Sequence, residues 1–229
     1  MVLEQADTLV QEERLEESRR LYTIQPPGAR SPGQAQGRST NQALSPSGRR
    51  KAIIFYPGGK VKPLAYLPLW EAVAQAGYTV FVPTMPLDLP VFGVAAAAPI
   101  RAEHPEYEVW HLAGHSLGGA MAAEHLKKDN RGFRSLILLD SYPASNLSGI
   151  DLAALSLKEE LGLEGGLQKA ETSQDLLAAG ALFRVMPGAN HAQFGRYGTQ
   201  KGDGSVAALA GSLAAALAAM VANLTIGKK

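Results

Sequence analysis

The feature that most constrains the fold is a serine between two glycines at residues 114–119, which read Gly-His-Ser-Leu-Gly-Gly. An apolar, strand-like run at 109–113 precedes it, and strong helix formers with basic residues in the last turn follow it at 119–128. A strand that turns so sharply into a helix needs glycine at 114 and 118, because a side chain there would collide with the strained backbone. The pattern predicts a nucleophile elbow that presents the Ser116 hydroxyl at the end of a strand.

Apolar runs alternate with helical patterns from residue 51 onward. The predicted strands are 52–56, 78–82, 109–113, 135–139, 152–157 and 181–186, and the predicted helices are 64–75, 94–103, 119–128 and 169–179. Continuous apolar strands separated by helices are typical of a parallel sheet that is covered on both faces. The expected fold class is therefore α/β, with a mainly parallel, doubly wound sheet and helices on both faces.

The first fifty residues differ in character from the rest. We expect 1–50 to be a charged N-terminal segment and flexible loop, and 51–229 to form the domain that contains the sheet. Within the first segment, 1–20 is predicted as a charged helix and 21–24 as a short strand. Residues 25–48 are rich in Pro, Gly, Ser and Gln, which predicts a mobile loop.

Composition narrows the classes of function. The chain has 229 residues, of which 46% are hydrophobic and 19% charged, as expected for one soluble domain with a sizeable core. A formal net charge of +1 gives no reason to expect nucleic acid or an anionic membrane as partner. The absence of cysteine excludes disulfides, thiolate zinc sites and cysteine nucleophiles. The N-terminus lacks a signal-peptide pattern, which favours the cytoplasm but leaves the compartment open.

The stretch 205–225 contains no charged residue and is long enough to cross a bilayer. Alanine dominates it, and alanine is much less apolar on insertion scales than leucine. We therefore predict a buried helix that packs against the sheet rather than a membrane span.

Reactive groups in such a sheet collect at the carboxyl ends of the strands. The strand at 52–56 leads into Gly58 and Gly59, in the position where half of an oxyanion hole is expected. The adjacent Lys60 does not make this a nucleotide site, since the Walker spacing is absent. The last predicted strand leads into His191, which lies in a glycine-rich loop and follows Ser116 in the chain order expected for a general base. The other histidines are less suitable: His104, His111, His125 and His115, the last at a variable position of the elbow.

Three separated runs, at 55–61, 114–121 and 188–195, resemble the small cap-less α/β hydrolases related to dienelactone hydrolases and carboxylesterases. The resemblance covers about residues 52–204, with the three motifs in the family's order. It implies an α/β-hydrolase fold in which Ser116 is the nucleophile and His191 is its base. It also implies an oxyanion hole formed by the backbone N–H of Leu117 and by one N–H of residues 58–60, for which Gly59 is favoured.

The acid of the triad is less clear, because the family shows an Asn-Asp-Gly-like turn after its penultimate strand and this chain has no aspartate there. Glu164, followed by a glycine, is the closest imitation of that turn and is the predicted acid. Glu160 is nearly as close. Asp140 is a third candidate, because acids after the earlier strand at 135–139 serve in some lipases of this architecture.

The expected function is a serine hydrolase that cleaves carboxylic esters or lactones through an acyl-enzyme, without cofactor or metal. No long insertion separates the strands at 135–139 and 152–157, which predicts an open pocket for small, soluble substrates. The alternative is an inactive hydrolase-like binding or regulatory protein. That alternative is favoured by the missing aspartate and by a loop-rich N-terminus where relatives usually have additional strands. The oligomeric state is left open.

Overall fold

The computed structural model describes residues 2–18, 20–29, 49–160 and 173–195. Within these residues, eight strands form one sheet in the order β1-β2-β4-β3-β5-β6-β7-β8. The strands are β1 (Leu15–Ser18), β2 (Leu21–Ile24), β3 (Lys51–Tyr56), β4 (Thr79–Pro83), β5 (Val109–His115), β6 (Phe133–Leu139), β7 (Ala153–Glu159) and β8 (Leu182–Met186). The α-helices are α1 (Val2–Gln11), α2 (Leu67–Gln75), α3 (Ala97–Glu103) and α4 (Leu117–Lys128).

The six strands from β3 to β8 pair in parallel, which confirms the predicted fold class. Both faces of this sheet are buried, as β3 illustrates. Its Phe55 belongs to an apolar cluster with Trp70 of α2, while Ile54 belongs to a second cluster with Leu126 of α4 and Ile100 of α3. Because successive side chains point to opposite faces, a strand covered on both sides must be apolar throughout. The helices thus cover the two faces of the sheet, as predicted.

The N-terminal segment adds two antiparallel strands to this sheet. β2 pairs with β4, and β1 pairs with β2. The short strand predicted at 21–24 is confirmed, but the helix predicted over 1–20 is wrong beyond Gln11. The backbone turns at Glu13, whose φ is 56°, and Leu15 then pairs with Ile24 in the buried part of the sheet. The N-terminal segment, predicted to be loop-rich, therefore contributes additional strands to the sheet. The loop predicted at 25–48 lies largely outside the described residues.

The predicted strands from 52 onward are confirmed, and their ends shift by at most two residues. The helix predicted over 64–75 is a short 3-10 turn, Pro63–Tyr66, followed by α2. The helix predicted over 94–103 begins only at Ala97. The fourth helix is predicted over 169–179. Residues 169–172 lie outside the described residues, and most of 173–179 is not helical.

The apolar stretch 205–225 also lies outside the described residues, so its prediction as a buried helix stays a prediction. Of the helices in the described part of the chain, none has the length and apolar character that a bilayer span requires.

Candidate active site

The candidate site lies at the carboxyl end of the parallel sheet. Four neighbouring or nearby strands, β3, β5, β6 and β8, each lead into one of its loops. These loops contribute Gly59, Ser116, Asp140 and His191. Because parallel strands all end at the same edge, residues that are far apart in the chain meet here.

Ser116 occupies the sharp turn between β5 and α4. Its φ of 52° lies in the left-handed region, which a residue other than glycine adopts at a cost of about 1–3 kcal/mol. Two hydrogen bonds hold this conformation: the Ser116 N–H donates to the carbonyl of Leu139 at 3.1 Å, and the Ser141 hydroxyl donates to the Ser116 carbonyl at 2.6 Å. The predicted elbow geometry is therefore present, fixed by the end of the neighbouring strand β6.

The glycines around Ser116 are required by close backbone contacts. A Cβ on Gly114 would lie 2.5 Å from the backbone nitrogen of Gly119, and a Cβ on Gly118 would lie 2.2 Å from the carbonyl oxygen of Pro57. Neither backbone can move without displacing a strand or a helix. The elbow and the loop after β3 are thus packed directly against each other.

His191 lies between Ser116 and Asp140. The Ser116 hydroxyl donates to Nε2 of His191 at 3.1 Å, and Nδ1–H of His191 donates to Oδ2 of Asp140. These proton positions are assigned from the hydrogen-bond partners of the ring. An imidazole held between a hydroxyl and a carboxylate can remove the hydroxyl proton while the carboxylate stabilises the resulting charge.

Asp140 is held in place by two hydrogen bonds with the backbone of β7. Its N–H donates to the Leu157 carbonyl at 2.7 Å, and its Oδ1 accepts the Glu159 N–H at 3.3 Å. Burial alone would raise the pKa of Asp140, but the hydrogen bond and charge of His191, together with the Glu159 N–H and the charge of Lys158, outweigh burial, so the pKa lies below its ordinary value. Asp140 is therefore an ionised carboxylate at neutral pH.

All four polar groups of His191 have partners. Besides the two ring nitrogens, its backbone N–H donates to the Glu159 carboxylate at 2.5 Å, and its carbonyl accepts from Nε2 of His115 at 3.1 Å. The hydrogen bond to Asp140 is the largest influence on the imidazole and raises its pKa, against the opposing effect of burial. The ring is thus more basic than an ordinary histidine and is held in one orientation.

Two of the three candidate acids lie within the described residues. Asp140, third among the sequence candidates, contacts the His191 ring. Glu160 accepts the N–H of Gly188 at 2.8 Å, so its carboxylate holds the loop that leads to His191. Glu164, the predicted acid, lies outside the described residues.

The two predicted oxyanion donors are adjacent. The N–H of Gly58 donates a hydrogen bond to the Tyr66 hydroxyl at 3.0 Å, and the N–H of Lys60 donates to the Asp88 carbonyl at 2.7 Å. Among the described residues, no partner is found for the N–H of Gly59 or of Leu117. A Cβ on Gly59 would lie 3.1 Å from the Leu117 side chain, so the two loops touch. Of residues 58–60, Gly59 is therefore the one whose N–H has no partner within the part of the chain that the structure describes.

Sequence reasoning missed two neighbours of His191. Glu159 was not among the candidate acids, although it lies beside Glu160 at the end of β7. His115 was treated as a variable elbow position, yet it is buried and contacts the His191 carbonyl. Its place next to Ser116 was the only available signal. The remaining histidines pair elsewhere: His104 with Glu106, His111 with Ser135 and His125 with Val94.

Ligand atoms of Asp140, Glu159 and His191 lie within 4.8 Å of one another, a grouping that could hold a metal ion. In this structure those groups are already bonded to one another, since His191 donates through its ring to Asp140 and through its backbone to Glu159. A metal at this point would have to displace the hydrogen bonds that orient the imidazole.

Comparison with known proteins agrees with this architecture. Residues 52–213, more than half of the chain, match the alpha/beta hydrolase family. No curated protein sequence matches the chain.

Solved structures similar to this chain include one named as a hydrolase, one named as an esterase and one named Est1E. A dienelactone hydrolase from Anabaena variabilis is 14% identical, with a TM-score of 0.63 over 85% of this chain and 88% of that chain. A ferulic acid esterase from Streptomyces cinnamoneus is 20% identical, with a TM-score of 0.57 over 87% and 80%. Est1E from Butyrivibrio proteoclasticus is 10% identical, with a TM-score of 0.61 over 88% and 94%. At these identities the likeness shows the fold.

Proposed function

The chain belongs to the alpha/beta hydrolase family, and we propose that it is a serine hydrolase that cleaves carboxylic esters or lactones through an acyl-enzyme intermediate. The strongest support is the position of the His191 ring, which is hydrogen-bonded to the Ser116 hydroxyl on one side and to the Asp140 carboxylate on the other. We propose Asp140, rather than Glu164, as the acid of this triad.

In the first step, Nε2 of His191 takes the Ser116 proton as Oγ attacks the substrate carbonyl carbon. Serine is a weak nucleophile until a base removes its proton, and the raised pKa of His191 suits the ring to this task. Asp140 keeps the proton on Nδ1, so that Nε2 is free to accept another. Its negative charge then stabilises the imidazolium.

The tetrahedral oxyanion would be held by the N–H groups of Gly59 and Leu117. Both lack a partner among the described residues, and the strained, closely packed loops that bear them need little reorganisation. Removing one such donor typically costs about 3–4 kcal/mol in the barrier.

Collapse of the intermediate breaks the ester C–O bond, and His191 protonates the departing alkoxide. A water molecule then gives its proton to His191 and attacks the acyl-enzyme. The second collapse releases the carboxylic acid and returns the proton to Ser116. No cofactor or metal is needed for these steps.

The substrate class is proposed from similar structures, and the shape of the pocket is proposed from the β6–β7 connection. Two similar structures are named as a dienelactone hydrolase and a ferulic acid esterase. The connection between β6 and β7, residues 140–152, contains no helix that could cover Ser116. We therefore propose an open pocket for small-molecule substrates.

Labelling with a fluorophosphonate probe tests this function. Wild type should form an adduct, and Ser116→Ala and His191→Ala should lose it. Ser148→Ala, which changes an exposed serine of the β6–β7 connection, is the matched control and should keep it. A folded wild-type protein that resists the probe and hydrolyses no ester would contradict the proposal and support an inactive binding protein.

A p-nitrophenyl ester series tests the open pocket separately. Short acyl chains should be the best substrates. Activity that rises steadily from acetate to palmitate would contradict a pocket suited to small, soluble substrates.

A further inference from the structure

A bridge of hydrogen bonds, from Gly58 through Tyr66 and His115 to His191, connects the loop after β3 to the loop after β8. It begins at the Gly58 N–H, which donates to the Tyr66 hydroxyl at 3.0 Å. The Tyr66 hydroxyl meets Nδ1 of His115 at 2.8 Å, and Nε2 of His115 meets the His191 carbonyl at 3.1 Å. One end is thus the residue before the proposed oxyanion donor Gly59, and the other end is the backbone of the proposed base.

The chemistry of the groups fixes the direction of each bond. A carbonyl can only accept, so Nε2 of His115 must bear the proton that it donates to His191. Burial lowers the pKa of His115 to about 3, so the ring is neutral and its Nδ1 must accept. Tyr66 then donates its only proton to Nδ1, and its oxygen accepts from Gly58. Every donor in this bridge of hydrogen bonds therefore has an acceptor.

The two rings are held in this arrangement by packing. Tyr66 is fully buried, and its ring centroid lies 4.9 Å from that of Phe55. His115 stacks on Phe194 at 5.6 Å and lies 4.6 Å from the ring of His191. The contact with Gly58 is close enough that a Cβ there would lie 2.9 Å from the Tyr66 hydroxyl. The bridge has little freedom to change its length.

We propose that Tyr66 and His115 are positioning residues that set the distance between the oxyanion-binding loop and the catalytic base. The inference depends on the proposed function, because it concerns the same reaction. His115 hydrogen-bonds the His191 backbone and packs beside its ring, and Tyr66 acts through His115. Ser116 and Asp140 orient the His191 ring, whereas the bridge to Gly58 fixes where its backbone lies relative to Gly59. An error of about 1 Å in such a distance can cost about 100-fold in rate.

The direct test is Tyr66→Phe, which keeps the buried ring and removes the hydroxyl at the centre of the bridge. We expect kcat for p-nitrophenyl acetate to fall by about 10- to 100-fold, with little change in KM, because the defect lies in the geometry of the transition state. Fluorophosphonate labelling should slow in parallel. A purely structural role would lower the melting temperature and leave kcat of the folded protein unchanged.

Tyr78→Phe is the matched control. Tyr78 is also a buried tyrosine, but its hydroxyl has no hydrogen-bond partner in the described structure. It immediately precedes β4 and lies beside Lys51 at the start of β3, and so at the opposite end of the parallel sheet from Ser116. Its removal should leave kcat unchanged.

Two further variants test whether the bridge acts as a unit. His115→Leu should lower kcat at least as much as Tyr66→Phe, and the double variant should be no worse than the poorer single variant. His115→Gln, whose amide can still donate to the His191 carbonyl, should recover part of the rate. If His115→Leu does not fold, the comparison of kcat between Tyr66→Phe and Tyr78→Phe still tests the positioning role.

The outcomes are distinguishable. An active, labelled wild type with equal kcat in Tyr66→Phe and Tyr78→Phe overturns this inference and leaves the proposed function standing. Additive losses in the double variant also overturn it, since independent residues do not form one bridge. An unreactive wild type overturns both proposals.

Discussion

Replacing Asp140 with asparagine exchanges one carboxylate oxygen of the proposed triad for an NH₂ group. The substitution tests directly whether Asp140 is the acid. Oδ2 of Asp140 accepts from Nδ1 of His191, and Oδ1 accepts from the Glu159 N–H. Asparagine has a single carbonyl and can satisfy only one of these donors. If the carbonyl faces Glu159, the amide donates to Nδ1 and forces the proton of His191 onto Nε2, where it blocks proton removal from Ser116.

The opposite orientation keeps the productive tautomer but places the asparagine NH₂ against the Glu159 N–H. Leaving a buried donor unsatisfied costs about 1–3 kcal/mol, which reduces the productive population about 5- to 150-fold. Loss of the negative charge beside the imidazolium adds to this. The same substitution in another serine-hydrolase triad lowers kcat by about 10⁴-fold, or about 5 kcal/mol, and we expect a loss of that order.

The assay is kcat for p-nitrophenyl acetate, with folding checked by circular dichroism. Glu160→Gln is the matched control, because its amide carbonyl can still accept the Gly188 N–H, and its kcat should stay within about twofold of wild type. Glu164→Gln should also leave kcat nearly unchanged. A full rate in Asp140→Asn together with a large loss in Glu164→Gln would refute the reasoning.

A pH profile of Asp140→Asn and two further substitutions provide additional tests. Because Asp140 raises the pKa of His191 and only the neutral ring can act as base, the rising limb of kcat/KM against pH should move to lower pH in Asp140→Asn; an unchanged midpoint would argue against the coupling. Gly118→Ala puts a Cβ 2.2 Å from a backbone carbonyl and should destabilise the fold by at least about 3 kcal/mol in urea unfolding, whereas Gly149→Ala meets nothing within 4 Å and should be nearly neutral. Tyr56→Phe removes a buried hydroxyl that bonds the backbone on either side of the start of α3, at 2.8 Å each. It should cost about 1–3 kcal/mol, and a loss under 0.5 kcal/mol would contradict this.

The sequence was sufficient to locate the residues whose positions follow from local pattern. Ser116 lies in a motif whose glycines are required by contacts within a few residues or with one adjacent strand. His191 follows a strand in a glycine-rich loop. The alternation of apolar runs located the parallel strands for the same reason, since a strand buried on both faces is recognisable from its own residues.

The sequence was insufficient where a role depends on pairing between distant strands. Asp140 reaches His191 because its backbone adopts a φ of 40° and its N–H is held by β7, and neither fact is visible in the residues around it. β1 was missed because only Leu15 of its four residues is buried, so no alternating pattern marks it. The contact of His115 with the His191 backbone likewise arises only when β5 and β8 end at one edge of the sheet.

The central claim is that Ser116 becomes acylated during turnover, and mass spectrometry of the acid-quenched protein tests it most directly. With p-nitrophenyl acetate in excess, we predict that a fraction of the protein gains the mass of one acetyl group and that peptide mapping places the group on Ser116. Ser116→Ala should show no such peptide. Rapid ester hydrolysis by wild type with the acetyl group on another residue, or hydrolysis that survives in Ser116→Ala at the wild-type rate, would contradict the account.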